Sequence, residues 1–371
     1  MSKVKLGEVA IEHKETCKSS KDGYPIVGLE HLVPEEVTLT AWDEGSDNTF
    51  TKMFRKGNVL FGRRRAYLKK AAVAPFDGIC SGDITVIEAI PDRILPELLP
   101  FIIQNDDLFD FAVGKSAGSL SPRVKWEHLK NYEFELPDMD KQRELAELLW
   151  AMDATKKSYQ KLIAAADELV KSQFIDMFGN PLLNEMHWPV KRMKDVAPSS
   201  PYNGGISSKD DLYWLLNLDM VESNTGRILD KIYVPMDEIG QSTTSFSREY
   251  VLFSKLRPYL NKVVIPDDSG YATTELVPLL PDPSLLKQVY LAQMLRGDEF
   301  LAFISSQVSG TKMPRVTMNV FWDYEVMLPP LDLQERFEAF VQQSDKSKFE
   351  LEQALSELTA TYKRIIAENL G

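Results

Sequence analysis

Residues 59–70 read VLFGRRRAYLKK, and residues 251–262 read VLFSKLRPYLNK, so each residue of the first stretch has its counterpart 192 positions later. The same offset relates GSLSPRV at residues 118–124 to GTKMPRV at residues 310–316. A constant offset over separated stretches is the signature of an internal repeat. The chain is therefore predicted to contain two copies of one structural unit.

The two copies agree in some regions and diverge in others. YEFELP at residues 132–137 matches YEVMLP at residues 324–329 without any insertion, and Gln142 and Gln334 follow at the same offset. Residues 12–54 and their counterparts, residues 199–246, differ most. A duplication that keeps its scaffold and varies one segment suggests two heads that do the same job on different targets.

Each copy ends in a stretch with helical periodicity. Apolar residues recur at alternating steps of three and four, interrupted by Lys156 in the first copy and by Ser344 and Lys348 in the second. This spacing is typical of a coiled-coil seam. Gly179 and Pro181 then end the first helix. The predicted seam residues are Leu145, Leu149, Met152, Tyr159, Ile163, Val170, Phe337, Val341, Leu351, Leu355, Leu358 and Tyr362.

These patterns predict an α+β fold made of two similar globular heads, each followed by a long helix. The predicted segments are residues 1–139 for the first head, 140–180 for a central helix, 181–331 for the second head and 332–371 for a C-terminal helix. The helices could lie on their own heads, pair with each other, or pair with helices of partner proteins.

Short apolar runs such as residues 59–61, 84–87 and 251–253 predict strands within the heads. The periodicity of residues 96–113 predicts one helix in the first head, and residues 285–308 predict its counterpart in the second.

Composition limits the class of protein. Hydrophobic residues make up 44% of the chain, and no run is apolar enough for a membrane span or a signal peptide. Cys17 and Cys80 show no metal-ligand spacing. A soluble protein of the cytoplasm, without membrane association, is expected. The net charge of −12 argues against nucleic-acid binding unless Lys and Arg cluster locally or a partner supplies positive charge.

The sequence contains no pattern that indicates an active site. There is no phosphate-binding GxxxxGK[ST] loop, no zinc-type Cys/His cluster and no Ser/His/Asp arrangement with a recognisable local context. We therefore predict no catalytic residue, no metal and no cofactor for this chain.

Cationic and aromatic residues, in contrast, occupy equivalent positions in both copies. Arginine side chains after a strand can contact phosphates and base edges, and polar loops with small donors bind phosphate. A solvated charged loop and an ordinary structural turn are the alternatives. The predicted DNA-binding residues are Arg63, Arg64, Arg65, Tyr67, Lys69, Lys70, Ser119 and Arg123 in the first copy, and Lys255, Arg257, Tyr259, Lys262, Thr311, Lys312 and Arg315 in the second.

The order of these motifs resembles the specificity subunits of type I restriction-modification systems. The resemblance rests on two heads with long helices, on the Gly-Ser/Thr-x-x-Pro-Arg loops, and on the Leu-Pro stretches that lead to Gln142 and Gln334. It covers essentially the whole chain. Asp138 departs from the pattern, because the second copy has Pro330 there, which puts the start of the first helix in question.

The resemblance implies a non-catalytic subunit that reads a bipartite, asymmetric site in double-stranded DNA. Each target-recognition head would read one half-site, chiefly through residues 14–54 and residues 199–246. The two helices would pack as an antiparallel coiled coil with pseudo-twofold symmetry, set the spacing and dock two modification (methyltransferase) subunits. Restriction subunits would be possible further partners. The alternatives are a two-headed coiled-coil scaffold that binds proteins without DNA specificity, and an enzyme with an unrecognised site.

Overall fold

The protein divides into two compact units, each containing one head and segments of both long helices. Unit 1 comprises Met1–Gln160 with Glu352–Gly371, and unit 2 comprises Lys161–Leu351. No helix in the described part of the chain is long and apolar enough to span a membrane. The structure is a computed structural model, which describes residues 2–18, 21–45, 48–118 and 120–371.

The head of unit 1 mixes short strands and helices. The strands are β1 (Ser2–Lys5), β2 (Ala10–Glu12), β3 (Ile26–Val27), β4 (Lys52–Phe54), β5 (Val59–Gly62), β6 (Ala71–Val73), β7 (Gly78–Cys80), β8 (Ile84–Ala89) and β9 (Glu133–Leu136). One sheet has the order β2-β8-β5-β6, a second has the order β3-β7-β4, and β1 pairs antiparallel with β9. The helices are α1 (Leu6–Val9), α2 (Leu99–Ile103), α3 (Asp106–Gly114), α4 (Trp126–Leu129) and the long α5 (Met139–Phe178).

The head of unit 2 repeats this plan. The strands are β10 (Val190–Arg192), β11 (Ser208–Lys209), β12 (Leu212–Leu216), β13 (Ile232–Pro235), β14 (Thr243–Phe246), β15 (Val251–Ser254), β16 (Val263–Val264), β17 (Gly270–Thr273), β18 (Leu276–Leu279), β19 (Val308–Ser309), β20 (Arg315–Val316) and β21 (Glu325–Met327). The sheet of order β16-β15-β18 is equivalent to β6-β5-β8 of unit 1, and β10 pairs with β21 as β1 does with β9. The helices are α6 (Met193–Val196), α7 (Gln288–Arg296), α8 (Asp298–Ser306), α9 (Met318–Asp323) and the long α10 (Leu331–Leu370).

The predicted α+β heads and the two long helices are confirmed, but the single helix predicted in each head is wrong. Each head has two consecutive helices there, α2 and α3 in unit 1 and α7 and α8 in unit 2. The Asn105 side chain accepts a hydrogen bond from the Asp107 N–H at 3.1 Å and so caps α3. Gly297 has extended backbone angles, which end α7 before α8 begins. Apolar periodicity continues across both breaks and conceals them.

Within unit 2 the long helices run antiparallel. The Lys348 Nζ of α10 donates to the Asp167 carboxylate of α5 at 2.7 and 2.9 Å. Further along α5, the rings of Phe174 and Phe178 lie 5.6 and 5.4 Å from the Phe337 ring. Residues later in α5 therefore contact residues earlier in α10, as expected for antiparallel helices. These three aromatic side chains are buried, and they join the helices to the core of the head.

The duplicated glutamines explain why both long helices begin where they do. Gln334 is fully buried, its Oε1 accepts from the Lys287 N–H at 2.8 Å, and its Nε2 donates to the Pro329 and Leu285 carbonyls. In unit 1 the buried Gln142 amide makes the equivalent bonds with the Leu95 N–H and the Pro137 carbonyl. Each amide thus fastens the start of a long helix to its own head.

Asp138 and Pro330 occupy equivalent positions, and each is suited to begin a long helix. Its side chain accepts a hydrogen bond from the Lys141 N–H at 3.0 Å, which satisfies a free amide of the first turn. That hydrogen bond also lowers the pKa of the Asp138 carboxyl. The departure from the repeat therefore replaces one helix-starting residue with another.

Candidate nucleic-acid interface

A short turn after a buried strand presents the repeated Arg-x-Tyr sequence in each unit. In unit 1, β5 leads to Arg65, which has a φ of 54°, and then to a 3₁₀ turn at Ala66–Leu68. In unit 2, β15 leads to Arg257, with a φ of 49°, and to a 3₁₀ turn at Pro258–Leu260. A left-handed backbone is uncommon for residues other than glycine, and it costs roughly 1 kcal/mol. Its occurrence at both equivalent arginines marks a conformation held by its surroundings.

The predicted Pro-Arg loop supplies those surroundings. The Arg65 N–H donates to the Pro122 carbonyl at 2.8 Å, and the Arg257 N–H donates to the Pro314 carbonyl at 2.7 Å. An isolated β-bridge also joins Arg64 to Arg123. The two motifs, far apart in sequence, therefore form one continuous surface in each unit. We call it the turn-loop surface: residues 63–68 with 117–118 and 120–123 in unit 1, and residues 255–260 with 309–315 in unit 2.

Two side chains stand out from each turn-loop surface. Arg65 and Arg257 are exposed, and their guanidinium groups make no hydrogen bond or ion pair among the described residues. Tyr67 and Tyr259 are both 54% exposed. An unpaired guanidinium and a tyrosine ring are thus available to a ligand at equivalent places in both units.

The arginines of the Pro-Arg loops are held by carboxylates instead. Arg123 donates to both oxygens of Asp83, at 2.7 and 3.3 Å. Arg315 contacts Glu275 in the same way, with its closest distance 3.0 Å. The hydrogen bond from Arg123 lowers the pKa of the Asp83 carboxyl, and the Glu275 hydrogen bond raises the pKa of Arg315. Sequence reasoning missed both acids, although they too are 192 positions apart.

Arg64 strengthens this arrangement in unit 1 only. Its guanidinium donates to the Ser121 hydroxyl at 3.0 Å and lies 3.5 Å from Asp83. The counterpart in unit 2 is Leu256, which cannot form such bonds. Arg63 is half-buried, and its Nε has no hydrogen-bond partner within the described ranges.

The predicted lysines near the turns bind the protein itself. Lys70 Nζ donates to the Leu29 carbonyl, and Lys262 Nζ donates to the Leu218 carbonyl, both at 2.7 Å. Both acceptors lie in the segments that diverge between the copies. Lys69 instead pairs with a carboxylate of α3 at 2.6 Å, and that hydrogen bond raises its pKa. The first two lysines therefore tie each divergent segment to the shared scaffold.

The remaining predicted DNA-binding residues are Ser119, Lys255, Thr311 and Lys312. Thr311 and Lys312 are exposed in the unit 2 loop, and Lys255 is half-buried beside it. The Lys255 carbonyl accepts a hydrogen bond from the Val316 N–H at 2.8 Å, which links turn and loop. Ser119 lies outside the described residues. A DNA-binding role for all of these residues stays a prediction.

The predicted seam residues all lie on covered faces of the long helices. None of them is exposed. The buried ones are Leu145, Leu149, Met152, Val170 and Phe337. The half-buried ones are Tyr159, Ile163, Val341, Leu351, Leu355, Leu358 and Tyr362.

A group of possible metal ligands occurs in unit 1. One ligand atom each of Glu30, His31 and Asp43 lies within 4.8 Å of the others. The His31 Nδ1 already accepts a hydrogen bond from the Gly28 N–H at 2.9 Å, and its Nε2 lies 3.5 Å from Asp43. Polar contacts within the protein account for this cluster, and we assign no metal to it.

Comparison with known proteins identifies the repeated unit. The sequence profile of the type I restriction modification DNA specificity domain matches residues 1–166 and again residues 185–359. The specificity subunit of the Escherichia coli type I restriction enzyme EcoDI is 23% identical over 152 residues. That match covers 40% of this chain and only 34% of the length of the EcoDI protein.

Two solved structures share the fold over nearly the whole chain. The S subunit of a type I restriction-modification system from M. genitalium aligns with a TM-score of 0.59 at 11% identity, covering 98% of this chain and 94% of its own. A chain from a study of complex assembly and conformational transition in the type I R-M system aligns with a TM-score of 0.58 at 20% identity, covering 99% and 97%. At these identities the likeness establishes the fold alone.

Proposed function

This chain belongs to the family of type I restriction modification DNA specificity domains, and from that premise we propose that it is the sequence-reading subunit of a type I restriction-modification complex. Each head reads one half of a bipartite, asymmetric site in double-stranded DNA. The chain itself is non-catalytic and needs no cofactor. Partner subunits supply methylation and, where restriction subunits are present, cleavage.

The observation that carries this proposal is the unpaired arginine beside an exposed tyrosine in both units. A guanidinium can bind phosphate oxygens or the O6 and N7 atoms of guanine, and a tyrosine ring can pack on a sugar or a base. Arg65 with Tyr67, and Arg257 with Tyr259, present this pair on equivalent turns. The carboxylates of Asp83 and Glu275 hold the neighbouring loop in place, so the free guanidinium is positioned before DNA arrives.

Sequence specificity is assigned to the divergent segments, residues 14–54 and residues 199–246. They differ most between the copies, and Lys70 and Lys262 fasten each of them to the repeated turn. In this arrangement the turn-loop surface holds the DNA backbone and the attached segment reads the bases. Two heads with one scaffold and different segments would then read two different half-sites.

The long helices serve as a spacer and as the docking place for two modification subunits. We assign residues 1–139 and 181–331 to the target-recognition domains, and residues 140–180 and 332–371 to the spacer helices. The seam residues on α5 and α10 pack the helices, which leaves their other faces for partners. Such a complex acts in the cytoplasm.

An exchange of segments tests the proposal. The chain is assembled with its modification subunits, and methylated adenines are mapped on DNA before and after residues 199–246 are replaced by those of a relative. One half of the methylated sequence should change and the other should stay. A complex that methylates without sequence preference would refute DNA reading, and a change in both halves would refute independent heads.

A further inference from the structure

Unit 1 contains a cavity of about 300 Å³ between its head and its segments of α5 and α10. Pockets of this size can hold a small organic molecule. Much of the wall is apolar and comes from Val37, Phe109, Met152, Leu358 and Ile366. None of the lining residues belongs to the turn-loop surface, although Lys69 and the divergent-segment residues Glu35 and Val37 are among them.

Hydrogen-bond donors around this cavity are already engaged. Lys69 binds Asp106, Lys363 binds the Glu35 carboxylate, and Lys156 binds the Glu35 carbonyl. The Thr359 hydroxyl donates to the helix backbone, at 2.7 Å from the Leu355 oxygen. Each of these groups thus already has an acceptor within the protein.

Acceptors, in contrast, remain free. Asp153 is only 5% exposed, and Lys157 binds one of its oxygens at 2.6 Å, while its Oδ1 accepts no hydrogen bond among the described residues. Gln104 donates both its N–H groups to the Glu36 and Ala71 carbonyls, which fixes the amide orientation, and no group of the described residues donates to its Oε1. The Tyr362 hydroxyl is buried and has no partner in the described part of the chain.

The other copy shows what chemistry suits this environment. The counterpart of Gln104 is Arg296, whose guanidinium donates to the Val263 carbonyl at 2.6 and 3.0 Å. Val263 is the counterpart of Ala71, so the two side chains use the same backbone acceptor. Burial lowers the pKa of Arg296 to about 10, and the carboxylate of Asp345, the counterpart of Asp153, favours its charged form. Unit 2 thus carries its own guanidinium where unit 1 has a shorter neutral amide.

We propose that the cavity in unit 1 binds a small organic cation of the amidinium or guanidinium class. Its apolar body would fill the chamber beside Met152 and Phe109. Its N–H groups would donate to the free oxygens of Asp153 and Gln104. The cavity wall carries four carboxylates, those of Glu35, Asp106, Asp107 and Asp153, against three lysine ammonium groups, so its net negative charge disfavours an anion.

Isothermal titration of the full chain with three ligands of one shape tests this site. Benzamidine carries the cation, benzamide is its neutral analogue and benzoate is an anion. Benzamidine should bind once per chain, benzamide should bind roughly tenfold or more weakly because charged hydrogen bonds are stronger, and benzoate should not bind. No benzamidine binding at millimolar concentration, or equal binding of benzamidine and benzamide, would overturn the proposal.

Variants separate this site from other acidic groups. Asp153→Asn should weaken benzamidine binding at least about tenfold, whereas Asp345→Asn, the same change at the equivalent position of unit 2, should leave it unchanged. Gln104→Arg should abolish binding, because it places the chain's own guanidinium in the cavity. Circular dichroism checks that each variant folds. If Asp153→Asn does not fold, Gln104→Arg alone tests the proposal. Unchanged binding in folded Asp153→Asn or Gln104→Arg would contradict the inference.

Discussion

Removal of one unpaired guanidinium should weaken DNA binding without harming the fold. We choose Arg257→Asn, because asparagine tolerates the left-handed backbone that this position has, with a φ of 49°. The backbone hydrogen bond to the Pro314 carbonyl can therefore persist. Since the guanidinium makes no bond within the described residues, the free energy of unfolding should change by less than about 0.5 kcal/mol.

The size of the effect on DNA follows from what the guanidinium would contact. A phosphate contact contributes about 0.9 to the slope of log K against log salt, so that slope should become shallower by about 0.9. A guanine contact is worth about 1–3 kcal/mol, or roughly 5- to 150-fold in affinity for that base pair. The double variant Arg65→Asn with Arg257→Asn should change the phosphate slope by about 1.8 if both heads use the same contact.

Fluorescence anisotropy of the complex with its modification subunits, over a series of salt concentrations, measures both quantities. Lys262→Met serves as the comparison, because its ammonium already binds the Leu218 carbonyl. Its loss should lower affinity by loosening the attached segment and should leave the salt slope unchanged. The reasoning fails if Arg257→Asn keeps both the affinity and the slope, or if Lys262→Met reduces the slope as much as Arg257→Asn does.

Two further predictions concern stability. Gln334→Met should cost about 3 kcal/mol in urea unfolding, because three backbone groups lose a hydrogen-bond partner worth about 1 kcal/mol each. Gln342→Met, on the exposed face of α10, should cost almost nothing, and similar costs for the two variants would contradict the fastening role. The pKa of Asp83 is lowered in the fold by Arg123, so its ionised form adds stability above its ordinary pKa of about 3.9, and this contribution is lost as the pH falls through the lowered value. The stability difference between wild type and Asp83→Asn should therefore shrink only in acid, and a difference that stays constant with pH would contradict the ion pair.

The sequence alone could predict the features that are local or repeated. The offset of 192 predicts two units, and the three-four spacing predicts both long helices, which the structure has at Met139–Phe178 and Leu331–Leu370. The apolar runs at residues 59–61 and 251–253 lie in the strands β5 and β15. Each of these signals is carried by neighbouring residues, and so a single sequence is sufficient to reveal it.

The direction in which each cation points could not be predicted in this way. Residues 63–70 present a run of arginines and lysines that looks uniform in sequence. In the fold, Lys70 turns back onto a carbonyl of the divergent segment and Arg64 reaches a serine of a distant loop, while the Arg65 guanidinium has no partner among the described residues. Those choices depend on partners 41 and 57 residues away, respectively, for Lys70 and Arg64. The repeat does hold one usable signal, because Asp83 and Glu275 are acids at the same offset as the arginines they bind.

The division of labour among these cations also bears on how an acidic chain could select one DNA sequence. With a net charge of −12, the chain as a whole repels DNA, and most of the clustered cations bind its own carboxylates and carbonyls. Sequence-independent attraction to phosphate grows with the number of free cations, so few free guanidinium groups keep it weak. Discrimination between DNA sequences depends on the ratio of specific to non-specific affinity, and a weak non-specific affinity raises that ratio. In the proposed function, holding lysines and arginines inside the heads thus favours selectivity, while the modification subunits supply the remaining affinity.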